Sequence, residues 1–195
     1  LPALAPEIWA ALPDKTAQDR LIAAARRFWQ VPQGLEVLAA PGTSALIAQM
    51  PSLQPAGRVH IQTPTYNEHA AAFVAQGWQV VDNAPAEARV IVHPNNPTGA
   101  LFTGDDLGMQ TLTVLDESFA DIVPQASLVA LAQRPGVVVL KSFGKFWGLA
   151  GLRLGFAICR PEMAAKLRDR IGPWAVSGPA LHIGAMALQD QTWAA

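Results

Sequence analysis

Seven short runs rich in apolar and β-branched residues recur along this chain, at 35–39, 58–62, 78–81, 88–92, 111–115, 137–140 and 154–158. Where such a run is apolar almost throughout, as in Val137, Val138, Val139 and Leu140, it reads as a strand buried on both faces. Stretches of helical spacing lie between or beside the runs, at 14–30, 45–50, 67–76, 161–170 and 179–189. Strands that alternate with helices predict an α/β fold, three-layer αβα with a mostly parallel sheet. Such sheets gather their sites at the carboxyl ends of the strands. Asn96, Asp116 and Lys145 each fall just after a predicted strand.

Composition bounds the function class. Of the 195 residues, 51% are hydrophobic and 15% charged, enough apolar material for one sizeable core. A net charge of −1 carries no electrostatic footprint for nucleic acid or an anionic membrane. No run of eighteen apolar residues occurs and no signal peptide is legible, which together with a single cysteine fits a cytoplasmic protein. That cysteine, Cys159, sits on a predicted strand and reads as a core thiol. No metal site is expected. Residues 1–30 read as an N-terminal arm and a helix capped by Asp14 or Thr16, the first thirteen as a loose lead-in. The length allows one large domain or one and a half.

The segment 136–159, GVVVLKSFGKFWGLAGLRLGFAIC, carries the densest chemistry. Two buried strands flank a connector punctuated by Gly144, Gly148, Gly151 and Gly155, which holds Lys145 and Arg153. Upstream, Gly42, Thr43 and Ser44 open a helix, where free backbone N–H groups and the helix dipole favour an anion. These residues describe a ligand that is anionic at one end, aromatic in the middle and electrophilic at an aldehyde. The Lys145 amine can form a Schiff base with the aldehyde. Asp116 can hold a pyridine nitrogen protonated. Arg153, Ser142 and the Thr43 and Ser44 amides can bind a phosphate. Tyr66, the only tyrosine, offers a flat stacking face, and Asn96 an amide for a ring hydroxyl. Lys141, at a strand end, is expected to be a solvated charge, and His93, Asn95 and Glu117 to be scaffold.

The motifs NNPTG at 95–99, LDESF at 115–119 and SFGKFWGLAGLRLGF at 142–156 together resemble the fold-type I pyridoxal 5'-phosphate enzymes of the aminotransferase class I/II family. The resemblance implies that residues 31–175 are the large cofactor-binding α/β domain of that fold and 176–195 the start of a helix connecting to a small C-terminal domain beyond this chain. It implies Lys145 as the Schiff-base lysine, Asp116 as the pyridinium partner and Asn96 as the ring-hydroxyl partner. Arg153 and Ser142 match the phosphate ligands, and Tyr66 the stacking aromatic. DESFAD, LKSFGKFWGLAGLRLGF and GPWAVSGPAL look most like threonine-phosphate decarboxylases of cobalamin biosynthesis. The resemblance therefore implies decarboxylation of L-threonine O-3-phosphate to (R)-1-amino-2-propanol O-phosphate, a phosphorylated amino acid substrate and a homodimer. The alternative it leaves open is an aminotransferase acting on histidinol phosphate or a similar amino acid. Two features depart from the family pattern. Position 119 is Phe where a tyrosine is usual, and only twenty positions separate Asn96 from Asp116, a tight space for the usual helical crossover.

Overall fold

The computed structural model describes residues 4–82 and 84–194; the first three residues of the predicted arm lie outside them. Among the described residues, seven strands form one sheet: β1 (Glu36–Ala40), β2 (Arg58–Ile61), β3 (Gln79–Val81), β4 (Ala88–Val92), β5 (Leu112–Asp116), β6 (Val137–Ser142) and β7 (Gly155–Cys159). Their order across the sheet is β1-β7-β6-β5-β4-β2-β3. The pairs β2–β3, β2–β4, β4–β5 and β5–β6 are parallel, while β7 runs antiparallel to both β6 and β1. The mostly parallel α/β architecture is thus the one the alternation of runs and helices predicts.

Helices cover both faces. On one side lie α2 (Lys15–Phe28) and α6 (Gly178–Gln189), packed on a core that includes Val137, Val139, Phe156 and Ile158. On the other lie α3 (Thr43–Gln49), α4 (Glu68–Ala75) and α5 (Pro161–Ile171), over Val138, Leu140, Ala157 and Cys159. The period of two along each strand sends successive side chains into opposite cores, which is why these strands read as continuous apolar runs. Asp14 caps α2 by accepting the Ala17 N–H at 2.7 Å, leaving Leu21, Ala24 and Ala25 on the buried stripe.

Three details differ from the sequence reading. The lead-in contains a short helix, α1 (Pro6–Ala10), started by a proline at its first position, whose missing N–H costs a helix nothing there. A last short helix, α7 (Gln191–Ala194), follows α6. The crossover from β4 to β5 holds no α-helix; a 3-10 turn, Gly104–Leu107, spans it, closed by mutual Thr103 and Asp106 hydrogen bonds. Leu107 drops from that turn into the core, so a single buried leucine anchors a connection too short for a packed helix. No described helix is long and apolar enough to cross a membrane.

Candidate active site

All nine residues singled out in the sequence, Gly42, Thr43, Ser44, Tyr66, Asn96, Asp116, Ser142, Lys145 and Arg153, line one cavity. It opens at the carboxyl ends of β4, β5 and β6, on the α3 and α4 side of the sheet. Strand parity decides which residues reach it. Leu112 and Val114 face the α3/α4 core, so Asp116, two residues further along, faces the same side. Val138 and Leu140 do likewise, which brings Ser142 to the cavity.

The floor is Asp116. It ends β5, rather than following it, and is 2% exposed. Its Oδ1 accepts the Ser118 N–H at 2.9 Å and the Ser118 hydroxyl at 2.5 Å. Its Oδ2 lies 2.8 Å from Nε2 of His69 on α4. Burial pushes the Asp116 carboxyl up, and the hydrogen bonds and charge from His69, with those from Ser118, outweigh it, so its pKa lies below the ordinary carboxylate value. His69 is itself fully buried, and its Nδ1 has no hydrogen-bond partner among the described residues. Beside a carboxylate oxygen that can only accept, Nε2 carries a proton and donates it. The sequence reading did not single out His69. The available signal was its position in the first turn of α4, three residues after Tyr66, which precedes that helix. The two rings meet edge to face, with centroids 6.0 Å apart. Burial, and to a lesser degree Glu68 and Asp116, raise the Tyr66 phenol.

The anionic end is built by close approach. Gly42, with φ of 88°, precedes α3, and a Cβ there would meet the Arg153 guanidinium Nη2 at 2.6 Å. Arg153 adopts a left-handed backbone, φ 52°, a conformation that costs a non-glycine residue roughly 1–2 kcal/mol. Its guanidinium, held by the Ala150 carbonyl at 3.1 Å, lies alongside the first turn of α3. A Cβ on Gly155 would press into the Thr43 amide, so only glycine lets β7 pass this close to the α3 N-terminus. Thr43 donates its hydroxyl to the Lys141 carbonyl at 3.1 Å, tying α3 to β6. The Ser142 hydroxyl accepts the Gly144 N–H at 3.2 Å. Across the cavity the exposed Lys145 amine sits 5.4 Å from the centre of the Phe119 ring.

Lys141 overturns its expectation. Because β6 extends to Ser142, Lys141 lies within the strand, on the same face as Val137 and Val139, and is 1% exposed. Its ammonium is 2.7 Å from Glu117 and 3.3 Å from Asp121. Glu117, His93 and Asn95 are scaffold as expected: Glu117 also accepts the Ser127 hydroxyl and the Leu128 N–H. His93 bonds the Ala126 carbonyl and the Phe102 N–H, and Asn95 bonds Thr65, Pro64 and Thr98.

The donor set fits pyridoxal 5'-phosphate. The cradle that a Gly42 side chain would fill offers an arginine and a helix start to a phosphate. The buried, ionised Asp116 suits a protonated ring nitrogen, Tyr66 a ring face and Lys145 an aldehyde.

Comparison with known proteins agrees with this geometry. The family model described as Aminotransferase class I and II matches residues 4–194. The chain is 38% identical to a threonine-phosphate decarboxylase of Pseudomonas aeruginosa, across 98% of this chain and 61% of that protein. It is 34% identical to a histidinol-phosphate aminotransferase of Symbiobacterium thermophilum, across 71% of this chain and 45% of that protein. It superposes with a TM-score of 0.80 on a crystal structure of histidinol-phosphate aminotransferase from Sinorhizobium meliloti in complex with pyridoxal-5'-phosphate, at 21% identity, across 97% of this chain and 62% of that one. The chain thus spans less than two thirds of the length of these relatives.

Proposed function

The chain belongs to the aminotransferase class I and II family, and on that premise we propose that it is the cofactor-binding part of a pyridoxal phosphate-dependent carboxy-lyase. The substrate proposed is L-threonine O-3-phosphate and the product (R)-1-amino-2-propanol O-phosphate, in cobalamin biosynthesis. The observation that carries the cofactor is the shared cavity, in which an amine, a buried carboxylate and an arginine-lined helix start face one another. Bound there, pyridoxal phosphate would supply an electron sink for the charge left on Cα when a bond to that carbon breaks.

Each residue has a separate task. Arg153, Ser142 and the α3 N-terminus would hold the phosphate, Tyr66 the ring face and Asn96 the ring hydroxyl. Asp116 would accept a hydrogen bond from the ring nitrogen, with His69 and Ser118 keeping its carboxylate aimed and ionised. Lys145 would anchor the aldehyde and, once displaced by the substrate amine, hold a proton at Nζ for Cα. Phe119 places a ring, with no hydroxyl to donate, beside that amine.

The decarboxylase reading is favoured by the greater identity and coverage of the Pseudomonas aeruginosa relative. The aminotransferase reading is supported by the Symbiobacterium thermophilum relative. A product assay separates them. Incubation with L-threonine O-3-phosphate and pyridoxal phosphate is expected to release CO₂ and the amino alcohol phosphate with no keto acid present. A strict requirement for 2-oxoglutarate, with the amino group passing to it, would establish the aminotransferase instead. Lys145→Ala is expected to abolish product and to remove the visible absorbance of the bound cofactor.

A further inference from the structure

The two strand ends that turn Asp116 and Ser142 toward the cavity turn their neighbours, Glu117 and Lys141, to the opposite face of the sheet. There they form a buried polar cluster that the chemistry above does not use. Lys141 Nζ lies 2.7 Å from Glu117 Oε2 and 3.3 Å from Asp121 Oδ1. Asp121 Oδ1 also accepts the Trp29 indole N–H at 2.9 Å, and its Oδ2 accepts the Trp147 indole N–H at 3.2 Å. The side chains of Lys141, Glu117 and Asp121 are at most 5% exposed. Trp147 stands two residues after Lys145 and stacks on Phe143, two residues before it, with centroids 5.1 Å apart and planes 12° from parallel. The turn between them is closed by the Leu149 N–H to the Phe143 carbonyl at 3.0 Å and the Gly148 N–H to the Lys145 carbonyl at 2.9 Å.

We propose that Lys141 and Asp121 are positioning residues for Lys145: through the Trp147 indole they pin the turn 143–149 and so fix where its exposed amine points. The proposal rests on the reading of Lys145 as the residue that anchors the cofactor aldehyde. A buried ion cluster adds little net stability over apolar packing of the same volume. It does impose one geometry, because any partial arrangement leaves a buried charge unpaired. Here one ammonium faces two carboxylates, so the two indole N–H groups are needed to satisfy Asp121. Trp147 cannot move without stranding it. The turn is thereby tied to β6, to the segment that follows β5 and to the C-cap of α2 at once, while Lys145 itself is exposed at the tip.

The test compares two ligands: pyridoxal 5'-phosphate, and its 4'-deoxy analogue, which has the same ring and phosphate but no aldehyde. Trp147→Phe keeps the stack on Phe143 and deletes only the N–H. It is expected to raise the dissociation constant for pyridoxal phosphate about tenfold, the loss of one hydrogen bond to a charged group, and that for the analogue less than about twofold. Asp121→Asn, which keeps the shape and removes the charge, is expected to do the same and serves if Trp147→Phe does not fold. A cluster that is only structural would lower the melting temperature and leave both constants unchanged or change them equally, and either result overturns the proposal. If Lys145→Ala binds pyridoxal phosphate no more weakly than the unsubstituted protein, the anchor reading fails instead, and the proposal with it.

Discussion

Single residues here are read correctly by type and misread by environment. Asp116 was legible because a carboxylate that ends an apolar run must do something with its charge. Its ionisation, however, depends on His69 and Ser118, and no local pattern places His69 against it. The direction of the shift has a testable sign. The folded-state carboxyl titrates below its ordinary value of 3.8. Its contribution to stability is therefore complete above the unfolded pKa and is lost as pH falls through the folded one. Urea midpoints of the unsubstituted protein and Asp116→Asn should differ by a constant amount above about pH 5 and converge below about pH 4. A gap that widens on acidification would contradict the assignment. Lys141 illustrates the opposite case. Lysine at a strand end is most often solvated, and only the strand's extra residues and the acidic partners from 117 and 121 make it a core residue.

At the scale of elements, the β6–turn–β7 unit was visible as two apolar runs around glycines, and each end of it was placed within two residues. What could not be read was the purpose of each glycine. Gly155 is required because β7 runs against the first turn of α3, a contact between segments more than a hundred positions apart. Gly155→Ala is expected to lower stability by about 2 kcal/mol, the usual cost of overpacking against backbone. It should also weaken pyridoxal phosphate binding, because relief requires Thr43 to shift out of the cradle. Denaturant melts and cofactor titration of the purified variant measure both, and a neutral Gly155→Ala would refute the close approach. The β4–β5 crossover shows the limit from the other side. Its tight length was evident, but the solution, a capped 3-10 turn pinned by Leu107, depends on where the core surface lies.

Taken whole, the molecule is a sheet with a core on each face, and β7 lies inside it between β1 and β6. Cys159 on β7 is fully buried. Burial, reinforced by Glu36 and Glu162, pushes its thiol up to about 12, so it is protonated and shielded at neutral pH. A thiol reagent should modify it only as fast as the sheet opens, at a rate that tracks unfolding across a denaturant series. Modification as fast as that of a free thiol would show that β7 is accessible in the native state.

The amino-acid order alone determined the alternation of strands and helices, the parallel majority of the sheet and the residues gathered at its carboxyl edge. It could do so because those properties follow from local periodicity and from residue types with few other uses. Tertiary structure alone decided that Asp116 is held by His69, that Lys141 is buried beneath the site and that Gly155 admits the α3 N-terminus. Each of these depends on through-space packing between distant segments, and on strand parity that is set only once the register is known.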